Sequence, residues 1–238
     1  MEIKIMHLYP DLLNLYGDKG NIECMRRRLL WRGIGVTVVA HTGNEPLDLS
    51  DTDILFIGGG TDREEQTVIS KLIKSRDKIE EYINSGKTVF AACGGFLMLG
   101  KEYRLGSETV EGLGILDITA SLGDSGFVGD VVMESDITDS VIVGFENHSS
   151  RIDIASHTPL GIIKYGNGNN GVDKTEGVVY KNVIATSLHG PLLPKNAKLC
   201  DYILNCALKK KYPEFSGLSQ LDDELENKAN KYITQRYQ

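Results

Sequence analysis

Along "MEIKIMHLY" apolar and polar residues alternate as in a short β-strand, and the apolar positions of "NIECMRRRLLWRG" then return at helical spacing up to Gly33, a helix terminator. "IGVTVVA" reads as a second strand. "TDILFIGGG" is an almost continuous apolar run, the pattern of a strand buried on both faces. From Glu64 to Ser85, residues Val68, Ile69, Leu72, Ile73, Ile79, Tyr82 and Ile83 recur at helical spacing, which predicts one long amphipathic helix. "KTVFAAC" follows as a fourth strand. This alternation predicts an α/β fold, an open, mostly parallel sheet with helices on both faces, whose functional groups lie beyond the carboxyl ends of the strands. The triple glycine Gly58–Gly60 and Cys93 both fall at such ends.

From Gly112 to about Ser187 the chain is richer in short alternating segments such as "FVGDVVMES" and "DSVIVGFEN", which predict antiparallel extensions or hairpins in the second half. "PKNAKLCDYILNCALKKKY" reads as a helix following a proline. In "SGLSQLDDELENKANKYITQRY", Ser219 stands three residues ahead of Asp222, the spacing of a capping box that opens a terminal helix. The expected organisation is one domain over residues 1–212, with 213–238 adding a helix packed on it or extending from it. At 238 residues, 41% hydrophobic, the chain is long enough to bury a substantial core without a second domain.

Charge and cysteine usage narrow the function classes. The 33 acidic residues against 26 basic ones give a net charge of -7, which argues against a surface for nucleic acid. The N-terminus has no apolar core of signal-peptide length, and no run reaches membrane-spanning length, so the expected location is cytoplasmic, with no direct membrane insertion. Cys24, Cys93, Cys200 and Cys206 form no CxxC pair and no zinc-type spacing, so free thiols and no metal site are expected.

The chemistry concentrates at Cys93. A cysteine ending an apolar strand is most often a packed thiol. Here Ala91 and Gly95, two residues to either side, are the small neighbours that a sharp strand-to-helix turn requires if its central residue is to point outward, as in a nucleophile elbow. A thiol at a helix N-terminus is expected to ionise more readily. The Gly94 amide would form half of an oxyanion hole, and the Gly59 and Gly60 amides of the "IGGGTD" turn would supply the rest. That turn lacks the lysine and hydroxyl of GxxxxGK(S/T), which argues against a phosphate site. Among five histidines, His7 and His41 sit on or just after early strands, and His157 lies in a polar loop. His148 in "GFENHSS" is a candidate near the site. His189, at the end of the apolar run "NVIATSLHGP", is the expected general base. The acid that would orient it is not evident, because Pro191 stands where many such enzymes carry glutamate; Glu146 and Asp201 are candidates.

"ACGGF", "FIGGGTDRE" and "LHGP" together resemble a class I, triad-type glutamine amidotransferase of the cobyric acid synthase branch, a flavodoxin-like fold. "LNLYGDKGNI", "EGLGILD", "GFENH", "YGNGNN" and "HGPLLPKN" are similar, more narrowly, to the GatD family, the glutaminase subunits of lipid II isoglutaminyl synthase. The similarity runs from about Met6 through Tyr212. It implies that Cys93 attacks free glutamine and releases ammonia to a Mur-ligase-like partner, MurT, as a heterodimer. The partner would carry ATP and Mg, with no cofactor in this chain, and would amidate the D-glutamate α-carboxyl of lipid II. The family also has a substrate-binding arginine three residues before a Gly-Asp pair, a place that Gly126 takes here, beside Phe127. Arg63, Arg104 and Arg151 are the candidate substitutes, and Glu146, Asn147 and His148 complete the expected substrate-binding set. The missing acid leads to the expectation that the ligase subunit contributes it across the interface. Alternative readings are a glutaminase domain serving another acceptor such as a corrinoid ring, a hydrolase with the same elbow but no glutamine specificity, and a non-catalytic binding subunit with a packed Cys93.

Overall fold

The computed structural model describes residues 1–105 and 107–237. Its main sheet has β1 (Glu2–Leu8) one strand in from an edge formed by β2 (Gly35–His41), with β3 (Ile54–Ile57), β4 (Thr88–Ala92) and β12 (Val183–Thr186) following in that order on the other side, all parallel. The antiparallel β11 (Val178–Tyr180) closes that edge. Strand order reverses between β1 and β3, the point at which doubly wound sheets hold their ligands.

Alternation along the central strands builds two cores. Leu55, Ile57, Val89, Ala91 and Ala185 face one layer, while Ile54, Phe56, Phe90, Ala92 and Ile184 face the other. Helix α1 (Lys19–Leu30) covers the second face with Ile22, Met25 and Leu29, beside α5 (Ala197–Lys211) with Leu199, Ile203 and Leu204. The first face receives α2 (Asp62–Leu72) and α3 (Arg76–Asn84). These two segments replace the single helix expected from Glu64 to Ser85. A 3-10 turn at Ile73–Ser75 re-aims the chain so that Ile79, Tyr82 and Ile83 lie on the same sheet face as Val68 and Leu72, and Ile73 at the junction is left 40% exposed. The helix also starts earlier than expected, because Thr61 and Glu64 form a capping box around its first turn.

After β4 come α4 (Gly94–Met98), only five residues long, and β5 (Glu102–Leu105) with β6 (Glu108–Glu111). A long hairpin of β7 (Thr119–Ser135) and β8 (Ser140–Asp153) then forms the body of a second sheet, which β9 (Gly161–Tyr165) and β10 (Thr175–Glu176) extend. This is the antiparallel extension expected of the second half. It meets the main sheet where Phe145 and His189 form an isolated bridge, with the His189 N–H donating to the Phe145 carbonyl at 3.0 Å.

The terminal helix α6 (Glu224–Thr234) begins after Asp223, so the Ser219 capping box does not form. Arg28 explains the shift. Its guanidinium, 1% exposed, binds Asp201 through Nε and Nη2 at 2.7 and 2.8 Å and Asp223 through Nη1 at 2.6 Å, drawing the start of α6 onto α1 and α5. Further along, Asn230 Nδ2 donates to the Val141 and Lys195 carbonyls, and Tyr237 stacks on Tyr165. Removing the cation leaves Asp223 without its partner and Asp201 with Arg32 alone. Arg28→Ala is therefore expected to lower unfolding free energy by about 3–5 kcal/mol in urea titration, and an unchanged midpoint would contradict this ion-pair junction.

Candidate active site

Cys93 follows β4 with φ 54° and ψ -121°, a left-handed conformation that a non-glycine residue adopts only under constraint. The constraint is close backbone packing. A side chain at Gly95 would strike the Ile57 carbonyl, and one at Gly59 would come within 2.6 Å of the Cys93 Cβ and 2.9 Å of its Sγ. The strained cysteine is thus clamped between the triple-glycine turn and the first turn of α4.

A cavity of about 670 Å³ opens in front of it, lined by Cys93, Gly60, Gly94, Arg63, Asn147 and His148 among the expected residues. Arg104 lines it too, but Arg151 does not; that guanidinium lies 3.5 Å from the Phe127 ring centre and donates to the Ser125 carbonyl. Gly126 and Phe127 also stand outside the lining, where β7 bulges against β8 between Leu122 and Phe127. Glu146 is buried and committed elsewhere: its carboxylate accepts the Asn167 and Gly168 N–H groups at 3.0 and 2.9 Å and so holds the "YGNGNN" turn. Asp201 is bound to Arg28 and Arg32.

His189 lies past the end of β12, the strand beside β4, and is 2% exposed. It does not reach the cavity surface, because the Tyr16 ring stacks on it with centroids 3.8 Å apart and planes 10° from parallel. The Tyr16 hydroxyl in turn accepts from Asn147 Nδ2 at 2.9 Å. Burial, with His148 nearby, lowers the His189 pKa to about 4, so its imidazole is neutral at pH 7. Its Nε2 has no protein partner, while the backbone of Asn147 hydrogen-bonds the ring and favours its charged form. Among the described residues this backbone group takes the place of an orienting carboxylate.

Sequence reasoning missed three residues of the site. Tyr16 and Asp18 follow β1 in "LNLYGDKGN", at the strand-end position where a doubly wound fold places ligand-contacting groups. Asp18 is fully buried and accepts the Gly59 N–H at 3.0 Å; burial raises its pKa to about 6. Glu65 lines the cavity and accepts the Gly60 N–H at 3.2 Å. Its signal was present in the sequence as an acid on the apolar stripe of α2, one turn before Val68 and Ile69.

These acids correct the expected ease of thiol ionisation. Burial, then Glu65 and Asp18, push the Cys93 pKa well up, against a smaller opposing effect from the Gly94 amide. A helix of five residues has too small a dipole to reverse that. The thiol is therefore protonated in the free chain at neutral pH. Alkylation of Cys93 by iodoacetamide, followed by peptide mass spectrometry, is expected to keep accelerating up to pH 10; a plateau below pH 8 would show a thiolate already formed.

Comparison with known proteins agrees with the fold. Residues 4–197 match the CobB/CobQ-like glutamine amidotransferase domain. The chain is 42% identical over 236 residues to the GatD subunit of the glutamine-hydrolysing lipid II isoglutaminyl synthase of Staphylococcus aureus, covering 99% of this chain and 96% of that one. It is 37% identical to the GatD subunit of Streptococcus pneumoniae, covering 94% and 87%. A crystal structure of a glutamine amidotransferase superposes with a TM-score of 0.60 at 19% identity over 85% of this chain and 98% of that one, a likeness of fold. The chain therefore belongs to the CobB/CobQ-like glutamine amidotransferases and, within them, to the family of glutamine-hydrolysing GatD subunits.

Proposed function

We propose that this chain hydrolyses glutamine by a cysteine–histidine mechanism and passes the ammonia to a Mur-ligase-like subunit, MurT, which amidates the D-glutamate α-carboxyl of lipid II. The observation that carries the reading is Cys93 itself, held at positive φ and facing a cavity with room for an amino acid in a chain 42% identical to a GatD subunit. In this reading Arg63 or Arg104 receives the glutamine α-carboxylate, with Asn147 and His148 lining the same cavity.

His189 Nε2 takes the thiol proton as Cys93 Sγ bonds to the substrate's Cδ, and the C=O electron pair moves onto oxygen. The tetrahedral species collapses when His189 returns the proton to the amine, the C–N bond breaks and ammonia leaves. Water then cleaves the glutamyl thioester, with His189 again taking a proton. A neutral imidazole whose Nε2 is unpartnered suits this role. For the proton transfer to occur, Tyr16 must move off the ring or let the thiol pass its edge.

ATP and Mg would be bound by the ligase subunit. Among the described residues no group of three or more His, Cys, Asp or Glu is arranged to hold a metal ion, and no helix is long and apolar enough to cross a membrane. Such a subunit would work in the cytoplasm, where the lipid-linked precursor presents its peptide. With no carboxylate among the described residues hydrogen-bonded to His189, an acid from the ligase would complete the triad and keep ammonia release low until the complex forms.

Ammonia release from glutamine, measured for the chain with and without the ligase, tests these roles together. Cys93→Ala is expected to abolish it and His189→Ala to reduce kcat by about 10²–10⁴, with unfolding midpoints near that of the parent. Retained hydrolysis in Cys93→Ala would refute the mechanism. Equal kcat for the isolated chain and the complex would refute the shared triad.

A further inference from the structure

Two of the three amides expected to hold the oxyanion are already engaged. The Gly59 N–H donates to Asp18 at 3.0 Å and the Gly60 N–H to Glu65 Oε1 at 3.2 Å. Only Gly94 directs its amide at the Cys93 sulfur. A hole built from the glycine turn would thus lack donors, unless one of the engaged N–H groups acts through the group it binds.

Glu65 meets the requirements for such a relay. It is 5% exposed, yet it lines the cavity together with Cys93. Its carboxyl lies against the backbone of Gly94: a Cβ built there would collide with Oε1 and stand 2.8 Å from Oε2. The absence of a side chain at Gly94 is therefore what lets a carboxyl approach the first peptide of the elbow. One oxygen receives Gly60, and among the described residues the carboxyl forms no ion pair.

Its neighbours are almost all acids. Asp62 and Glu64 flank it on α2, Tyr16 approaches from the loop after β1, Cys93 from β4, and Tyr103 from β5. Arg63, Arg104 and His148 line the same cavity without pairing with it. A buried carboxyl with one hydrogen bond and no counter-ion keeps its proton, and burial, with Asp62 and Glu64 beside it, raises the Glu65 pKa to about 8.

We infer that Glu65 takes part in glutamine hydrolysis as an undissociated carboxylic acid, accepting the Gly60 N–H with one oxygen and donating the O–H of the other to the substrate oxygen that becomes negative on Cys93. The proton stays on Glu65 throughout as a hydrogen bond; the thiol proton still travels to His189 and on to the leaving ammonia. The Gly60 amide polarises the acid and strengthens its O–H as a donor, so the turn's N–H is relayed to the oxyanion. Ionisation of Glu65 removes the donor and places a second negative charge beside the oxyanion.

This inference rests on the glutaminase reading, and the experiment separates the two. Ammonia release from glutamine by the full chain with its ligase is measured from pH 6 to 10 for the parent, Glu65→Gln and Glu65→Leu, with melting temperatures alongside. The parent's kcat is expected to fall above about pH 8, where Glu65 ionises. Glu65→Leu should lose about 10²–10³ in kcat with a smaller change in KM. Glu65→Gln, which keeps an N–H donor and cannot ionise, should recover most of that loss and show no such fall. Glu65→Leu running as fast as the parent or faster would overturn the role, since the carboxyl would then only obstruct the pocket. So would Glu65→Gln retaining the alkaline fall, a result that stands even if the leucine variant does not fold. A parent complex that releases no ammonia at any pH would instead overturn the glutaminase reading.

Discussion

The close approach of three backbone segments around Cys93 is the constraint on which the rest of the site depends. The carbonyl of Ile57 at the end of β3, the bare Cα of Gly59 and the Gly94–Gly95 start of α4 leave no room for side chains, and in that space Cys93 takes its positive φ. Such strain persists only when the surroundings over-determine it. Here they do so through the parallel pairing of β3, β4 and β12, whose register sets Ile57 beside Ala91 and Ala185 beside Ala91 on its other side. The same pairing carries His189 to the edge that holds Cys93, and the bridge to Phe145 fixes it against the second sheet.

Burial is what makes this site unusual among thiol sites. The other cysteines sit away from the cavity; Cys24 and Cys200, with sulfurs 3.8 Å apart, belong to the packing of α1 on α5. Around Cys93 burial acts on four groups at once, holding protons on the thiol, on Glu65 and partly on Asp18, and keeping His189 neutral. A neutral thiol beside a neutral imidazole stores no charge in a pocket that would solvate it poorly. In the proposed mechanism charge then develops only when the substrate carbonyl is present to receive it, which is a form of preorganisation. Tyr16 over His189 adds a steric element to the same resting state.

Much of the architecture was legible because burial on two faces leaves a plain mark. "TDILFIGGG" and "KTVFAAC" are continuous apolar runs and became the central strands; "FVGDVVMES" and "DSVIVGFEN" alternate and became the two arms of the long hairpin. The break at Ile73–Ser75 left no mark, since the apolar period continues through it, and the start of α6 depended on Arg28, which lies 195 residues from Asp223. In the site, Cys93 could be singled out from its small neighbours. Glu65 could not, because the meaning of an acid on an apolar stripe emerges only when the glycine turn is folded over it. Glu146 and Asp201 looked like free acids in the sequence, and their partners Gly168 and Arg28 are visible only in three dimensions.

The central claim is that this clamped thiol, and no other, forms a covalent bond with glutamine's δ-carbon. Intact-mass and peptide mass spectrometry after incubation with a chloroketone analogue of glutamine, in the presence and absence of excess glutamine, tests it most directly. One adduct per chain, located on Cys93 and suppressed by glutamine, is the predicted result. Label on Cys24 or Cys206 in preference to Cys93, or label that glutamine does not suppress, would contradict it.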